Sequence, residues 1–269
     1  MGMGDAAALG LTTADCERIG DGLFGQPVNT ASSVAFLIAA LWILERARRS
    51  SARRVELAVF GLAVAGNAVG GFLFHGVRTA GSTWVHDEAI VAVLLFAGVS
   101  ALARFGAWPR ARTVATFAAA LAGVGVLLAL APATSYAIFA VLGLGAAAFE
   151  VGEYRRVLPT IRAEGWSSQR LARFGVAAVA ALGATAFFVG RTGAALCRPD
   201  SAFQWHAVWH ALAAVAMALY AYGSIEPHPA DQPGGRSPRS PRFGSQASAT
   251  GSPPNLMKPA SRTSSEKQW

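Results

Sequence analysis

The sequence predicts an all-α polytopic membrane protein, a bundle of seven transmembrane helices with the N-terminus outside and the C-terminus in the cytosol. Three observations carry this. The chain is 53% hydrophobic and only 14% charged over 269 residues, where a soluble domain carries about a quarter charged residues. Its apolar residues fall in seven long runs. Its arginines and lysines fall almost entirely in alternate loops.

A helix needs roughly 20 mainly apolar residues to cross the hydrocarbon core. The predicted spans are Val28–Leu44, Val55–Phe74, Glu88–Ala103, Val114–Leu130, Tyr136–Phe149, Phe174–Gly190 and Trp205–Tyr222. The third and fifth are short and carry acidic residues near one end. Dropping either alone would spoil the charge pattern. The chain therefore divides into an outer N-terminal segment (1–27), a seven-helix domain (28–224) and a C-terminal tail (225–269). The tail is rich in Pro, Ser, Gly and Arg. It has too little apolar surface to offset its ordering entropy and is predicted to be disordered. Residues Met1 to Gly25 lack a basic stretch, apolar core and small-residue cleavage site, so no cleavable signal peptide is expected.

Orientation follows from the basic residues in the loops. One side holds Arg46, Arg48, Arg49, Arg53 and Arg54, then Arg104, Arg110 and Arg112, then Arg155, Arg156, Arg162, Arg170 and Arg173. The tail adds Arg236, Arg239, Arg242, Lys258, Arg262 and Lys267 to that side. The other side has Arg18, Arg78, Arg191 and Arg198. The first side is thus predicted to be cytosolic. This asymmetry also explains the net charge of +8 without a nucleic-acid partner. The expected location is a plasma membrane, the inner membrane of a bacterium. Nothing in the sequence specifies an oligomeric state.

Ionisable groups at membrane depth are costly and point to function. Of five histidines, four fall at the outer level. His75 closes the second span, His86 precedes the third, and His206 and His210 open the seventh. The last two are four apart, on one face of a helix. A third histidine from another helix completes a three-histidine site with an open position, the layout of catalytic zinc. His75 is the first candidate because it ends a span, and His86 is the reserve. Asp87 and Glu88 lie at the same level, where a carboxylate can serve a metal-bound water. Cys16 and Cys197 also share the outer, oxidising side. A bridge between them would tie the N-terminal segment to the loop before the seventh span.

Three blocks resemble the alkaline ceramidases, within the superfamily of seven-helix membrane hydrolases that includes the adiponectin and progestin receptors. They are DCERIGDGLFGQPVNTASSVAF, GGFLFHGVRTAGSTWVHDE and WHAVWH. The resemblance implies zinc held by His75, His206 and His210, Asp87 acting on the zinc-bound water, and a Cys16–Cys197 disulfide. It implies hydrolysis of a lipid amide, ceramide to sphingoid base and fatty acid. Some members bind calcium through N-terminal acids, which Asp15, Glu17 and Asp21 would supply in part, with Gln26 where a further acid is expected. The chain also departs at Gly71, where the family has a serine that assists at the zinc. Ser82, Thr79 or Asn67 are the nearby substitutes, and Gly71→Ser is expected to restore the pattern. The alternative reading is a metal-stabilised receptor or scaffold without hydrolytic activity. A transporter is disfavoured because the histidines lie at the rim and not at the midplane.

The charge asymmetry makes a direct prediction. A reporter fused after Trp269 is expected to read cytosolic, and one inserted near Ala80 external. The opposite reading at either site contradicts the topology.

Overall fold

The computed structural model describes residues 15–225; the first fourteen residues and the tail of 226–269, including His228, lie outside them. Among the described residues every regular element is helical. Seven helices are long and apolar enough to cross a membrane. The first span is built from α1 (Pro27–Ser32) and α2 (Val34–Arg49). Pro27 suits the first helical position because its missing N–H would be unpaired there anyway. The others are α3 (Arg54–Gly71, running into a π-helical turn at Phe72–Val77), α4 (Ser82–Phe105), α5 (Arg110–Leu130), α6 (Ser135–Glu164), α7 (Ser168–Val189) and α8 (Trp205–Tyr220, with a π turn at Ala221–Ile225).

The helices outrun the apolar windows that predict them, and two differences matter. The third span begins at Ser82, not Glu88. Gly81, at φ +85°, turns the chain into it. His86, Asp87 and Glu88 therefore lie in the second turn of α4 and do not open the span. Hydropathy misses this turn because its side chains are polar, although its backbone is helical. The fifth span continues from Phe149 to Glu164 as a helix of 30 residues. Two of its added charges pair across helices: Glu150 meets Arg104 at 2.8 Å and Arg173 at 3.3 Å, and Glu153 meets Arg173 at 3.5 Å. These pairs bind α4, α6 and α7 at the arginine-rich end of the bundle. Arg110 adds a contact to Glu56 at 3.1 Å there.

Between the ends the core is apolar and built on α2, α3 and α4, around Phe60, Ile43, Leu57, Val64 and Val91. The outward faces are also apolar. Leu130, Leu144 and Val141 are 80%, 73% and 70% exposed. Such extensive apolar exposure suits lipid, not water. Gly70 lets α3 and α4 approach closely: a Cβ there would stand 2.8 Å from the His86 Cα. That approach sets His75 and His86 side by side, at the end of the bundle opposite the ion pairs.

Candidate metal centre

His75 lies in the π turn that ends α3. The wider turn, closed by Arg78 N–H on Leu73 O at 2.7 Å, shifts the side chain out of the α-helical register. His206 and His210 project from adjacent turns of α8. The ring centroids are 5.0 Å apart for His75–His206, 5.2 Å for His75–His210 and 4.7 Å for His206–His210. One ligand nitrogen from each lies within 4.8 Å of the others. All three residues are buried.

Their hydrogen bonds fix two of the tautomers. The Gln26 carboxamide nitrogen donates to Asp15 and to the Glu17 carbonyl, so its oxygen must face His75. Nδ1–H of His75 donates to that oxygen at 2.8 Å. Its Nε2 is then an unprotonated lone pair, buried and without a hydrogen-bond partner among the described residues. Ser32 Oγ donates to Asn29 O at 2.8 Å, leaving its own oxygen to accept from His210 Nδ1 at 2.7 Å. His210 thus also presents Nε2. Both nitrogens of buried His206 lack hydrogen-bond partners among the described residues. Unpaired imidazoles converging in a dry interior are costly, and a metal ion relieves that cost. Imidazole donors suit zinc, copper, iron and nickel.

A strap outside the first helix holds this arrangement. Cys16 and Cys197 form a disulfide, and beside it Arg18 pairs with Asp200 at 2.6 Å. Asp15, fully buried, accepts from the Gln26 and Asn29 amides and lies 3.9 Å from His75 Nδ1. Glu17 caps α1 by accepting from Val28 N–H at 2.7 Å and Asn29 N–H at 2.8 Å. Burial pushes the Glu17 carboxyl above its ordinary range, against the lowering effect of those two N–H groups. The strap therefore runs from the His75 ring through Gln26 and Asp15 to the disulfide, and across it to the loop that enters α8.

The calcium expected from Asp15, Glu17 and Asp21 does not suit these residues. Calcium takes six to eight oxygens. Here both Glu17 oxygens and Asp15 Oδ1 accept N–H groups, and the Gln26 amide stands among them. Asp21 is exposed. His86 stays outside the three-histidine group. Its ring stacks on Phe74 at 4.6 Å and lies 5.9 Å from that of His75. Asp87 is bound to it, Oδ1 to His86 Nδ1 at 2.9 Å.

The expectation at Gly71 is also revised. A Cβ there would stand 2.5 Å from Ser33 Oγ and 3.2 Å from Ser33 Cβ. The hydroxyl of Ser33, buried on the first span, lies against that position, so Gly71→Ser requires the Ser33 side chain to shift. Of the substitutes considered, Asn67 donates to the backbone of Ala63 and Ala89, and Thr79 is exposed. Sequence reasoning missed Gln26, Ser32 and Ser33. Ser32 and Ser33 could have been found from the polar NTASS run that opens an otherwise apolar span.

No known family model matches the sequence, and no curated protein matches it.

If Gln26 orients His75, Gln26→Leu removes the acceptor of His75 Nδ1–H and one of the donors to Asp15. Metal affinity is expected to fall by about 10- to 100-fold, the usual loss for a group that orients a ligand. His86→Ala is expected to retain the metal. Chelator competition on the purified protein measures both, and unchanged affinity in Gln26→Leu contradicts the assignment.

Proposed function

We propose that the protein is a membrane-embedded zinc-dependent hydrolase of a lipid amide, ceramide-like, with its site near the external face, its N-terminus outside and its C-terminus in the cytosol. The observation that carries the reading is the group of three buried histidines, two of them locked to present Nε2, at one end of the bundle beside the His86–Asp87 pair. The resemblance of the three sequence blocks to the alkaline ceramidases supplies the substrate class. The sparsity of basic loop residues at the histidine end supplies the orientation.

Zinc held by His75, His206 and His210 would polarise a carbonyl and acidify a water at the site. The chain's own residues do the rest. Ser32 and Gln26 hold His210 and His75 in fixed orientations. Phe36 and Phe187 pack against His210 and His206, at 5.2 and 5.9 Å between centroids, and keep bulk water from that side. Asp87, held by His86 Nδ1, takes the proton of the attacking water and returns it to the departing amide nitrogen. The carbonyl carbon gains the water oxygen and the C–N bond breaks, giving a fatty acid and a long-chain amine.

The competing reading, a metal-stabilised receptor or scaffold, needs only the buried histidine group and no hydrolytic step. The test separates the two. Asp87→Asn is expected to keep the fold and the zinc while hydrolysis of ceramide falls by about 10² or more, the usual scale for a general base. Release of sphingoid base, followed by mass spectrometry, measures it. Zinc-loaded wild-type protein inert to a broad panel of lipid amides would overturn the enzyme reading and favour the scaffold.

A further inference from the structure

A groove of about 530 Å³ between α3, α4 and α5 takes no part in the chemistry above. Its lining runs from Val59 to Val69 along α3. Ten residues of helix rise about 15 Å, half of the roughly 30 Å hydrocarbon core, so the groove matches one leaflet's depth of lipid chain. Leu62 and Val69 on its rim are 62% and 55% exposed, which opens it toward the bilayer. Gly66 leaves space on the α3 wall, the nearest atom to a Cβ there being Ala89 Cβ at 3.7 Å.

The lining holds one ionisable residue, Glu88, one residue beyond Asp87 on α4. Its carboxyl lies against α5 at Gly125, where a Cβ would come within 2.9 Å of Oε1. Gly125 leaves room for it. Trp84 Nε1–H donates to Gly125 O at 2.9 Å and sets the indole at the histidine end of the groove. Glu88 Oε2 is buried and has no hydrogen-bond partner among the described residues. A carboxylate left so in an apolar wall is costly unless something pairs with it.

We propose that this groove binds a single-chain lipid amine, its alkyl chain along α3 and its ammonium group on Glu88. Charge decides among lipids of the same shape. A fatty acid is repelled by the carboxylate, a neutral alcohol pairs with it weakly, and an ammonium group supplies charge-assisted hydrogen bonds. The amine is also one of the two products of the hydrolysis proposed above. Its role as a departing product rests on that reading, whereas its binding does not.

The experiment uses the full chain in lipid nanodiscs and a single-chain primary amine with a photoreactive group near its head. Alcohol and fatty acid of the same chain are the competitors. Crosslinks are expected on Trp84 and on the α3 and α5 walls, with the unlabelled amine competing about tenfold or more better than the alcohol, the value of a charged hydrogen bond. Glu88→Gln is expected to erase that preference and leave alcohol binding unchanged. Gly66→Phe, which fills the groove and keeps the carboxylate, is expected to abolish crosslinking at these positions. Equal competition by amine and alcohol, a preference that survives in Glu88→Gln, or crosslinks confined to other helices would overturn the proposal. A protein that hydrolyses no lipid amide yet shows the amine preference upholds the groove and removes only the hydrolase reading.

Discussion

The cost of burying imidazole in a bundle bathed by lipid governs the histidine end of this molecule. A polar group withdrawn from water must find a partner or destabilise the fold. Gln26 and Ser32 satisfy Nδ1 of His75 and His210, but the nitrogens of His206 and Nε2 of His75 have no hydrogen-bond partner among the described residues. What remains is a cluster of lone pairs that could hold a cation. The buried carboxylate of Asp15 adds negative charge close to His75, which favours a cation in the cluster. The polar layer has the donors to hold a metal ion.

The two ends of the bundle solve the same problem differently. At the arginine end, charges of both signs pair directly: Arg104 and Arg173 share Glu150 and Glu153 across three helices. At the histidine end, the carboxylates of Asp15 and Glu17 are met by amide and backbone N–H groups, which leaves the imidazoles unclaimed. The disulfide and the Arg18–Asp200 pair tie that layer's outer strap to the loop entering α8. His75 and the α8 histidines, far apart in sequence, are thereby linked through covalent and hydrogen-bonded structure. Fixing ligands in this way lowers the ordering cost that metal binding would otherwise incur.

Much of this was legible in the sequence, for identifiable reasons. Seven spans follow from hydropathy because apolar runs such as Val114–Leu130 have no other use. The spacing of His206 and His210 needs only helical geometry. Helix ends were less legible. The polar turn from Ser82 to Glu88 and the charged extension beyond Phe149 look like loops until their partners in space are known. Gln26 was read as the loss of a calcium ligand, and its role in holding His75 appears only when residues far apart in sequence meet. Gly71 is the clearest case. A missing serine reads as a deficit along one helix, whereas Ser33 from another helix lies against its place.

In the proposed site His75, His206 and His210 hold one catalytic-type metal ion. X-ray absorption at the metal edge of the purified protein tests it most directly. The account predicts zinc, about one per chain, with imidazole nitrogens at about 2.0–2.1 Å, and loss of that signal in His206→Ala. A protein purified without any stoichiometric metal, or one whose metal signal is unchanged in His206→Ala, would contradict it.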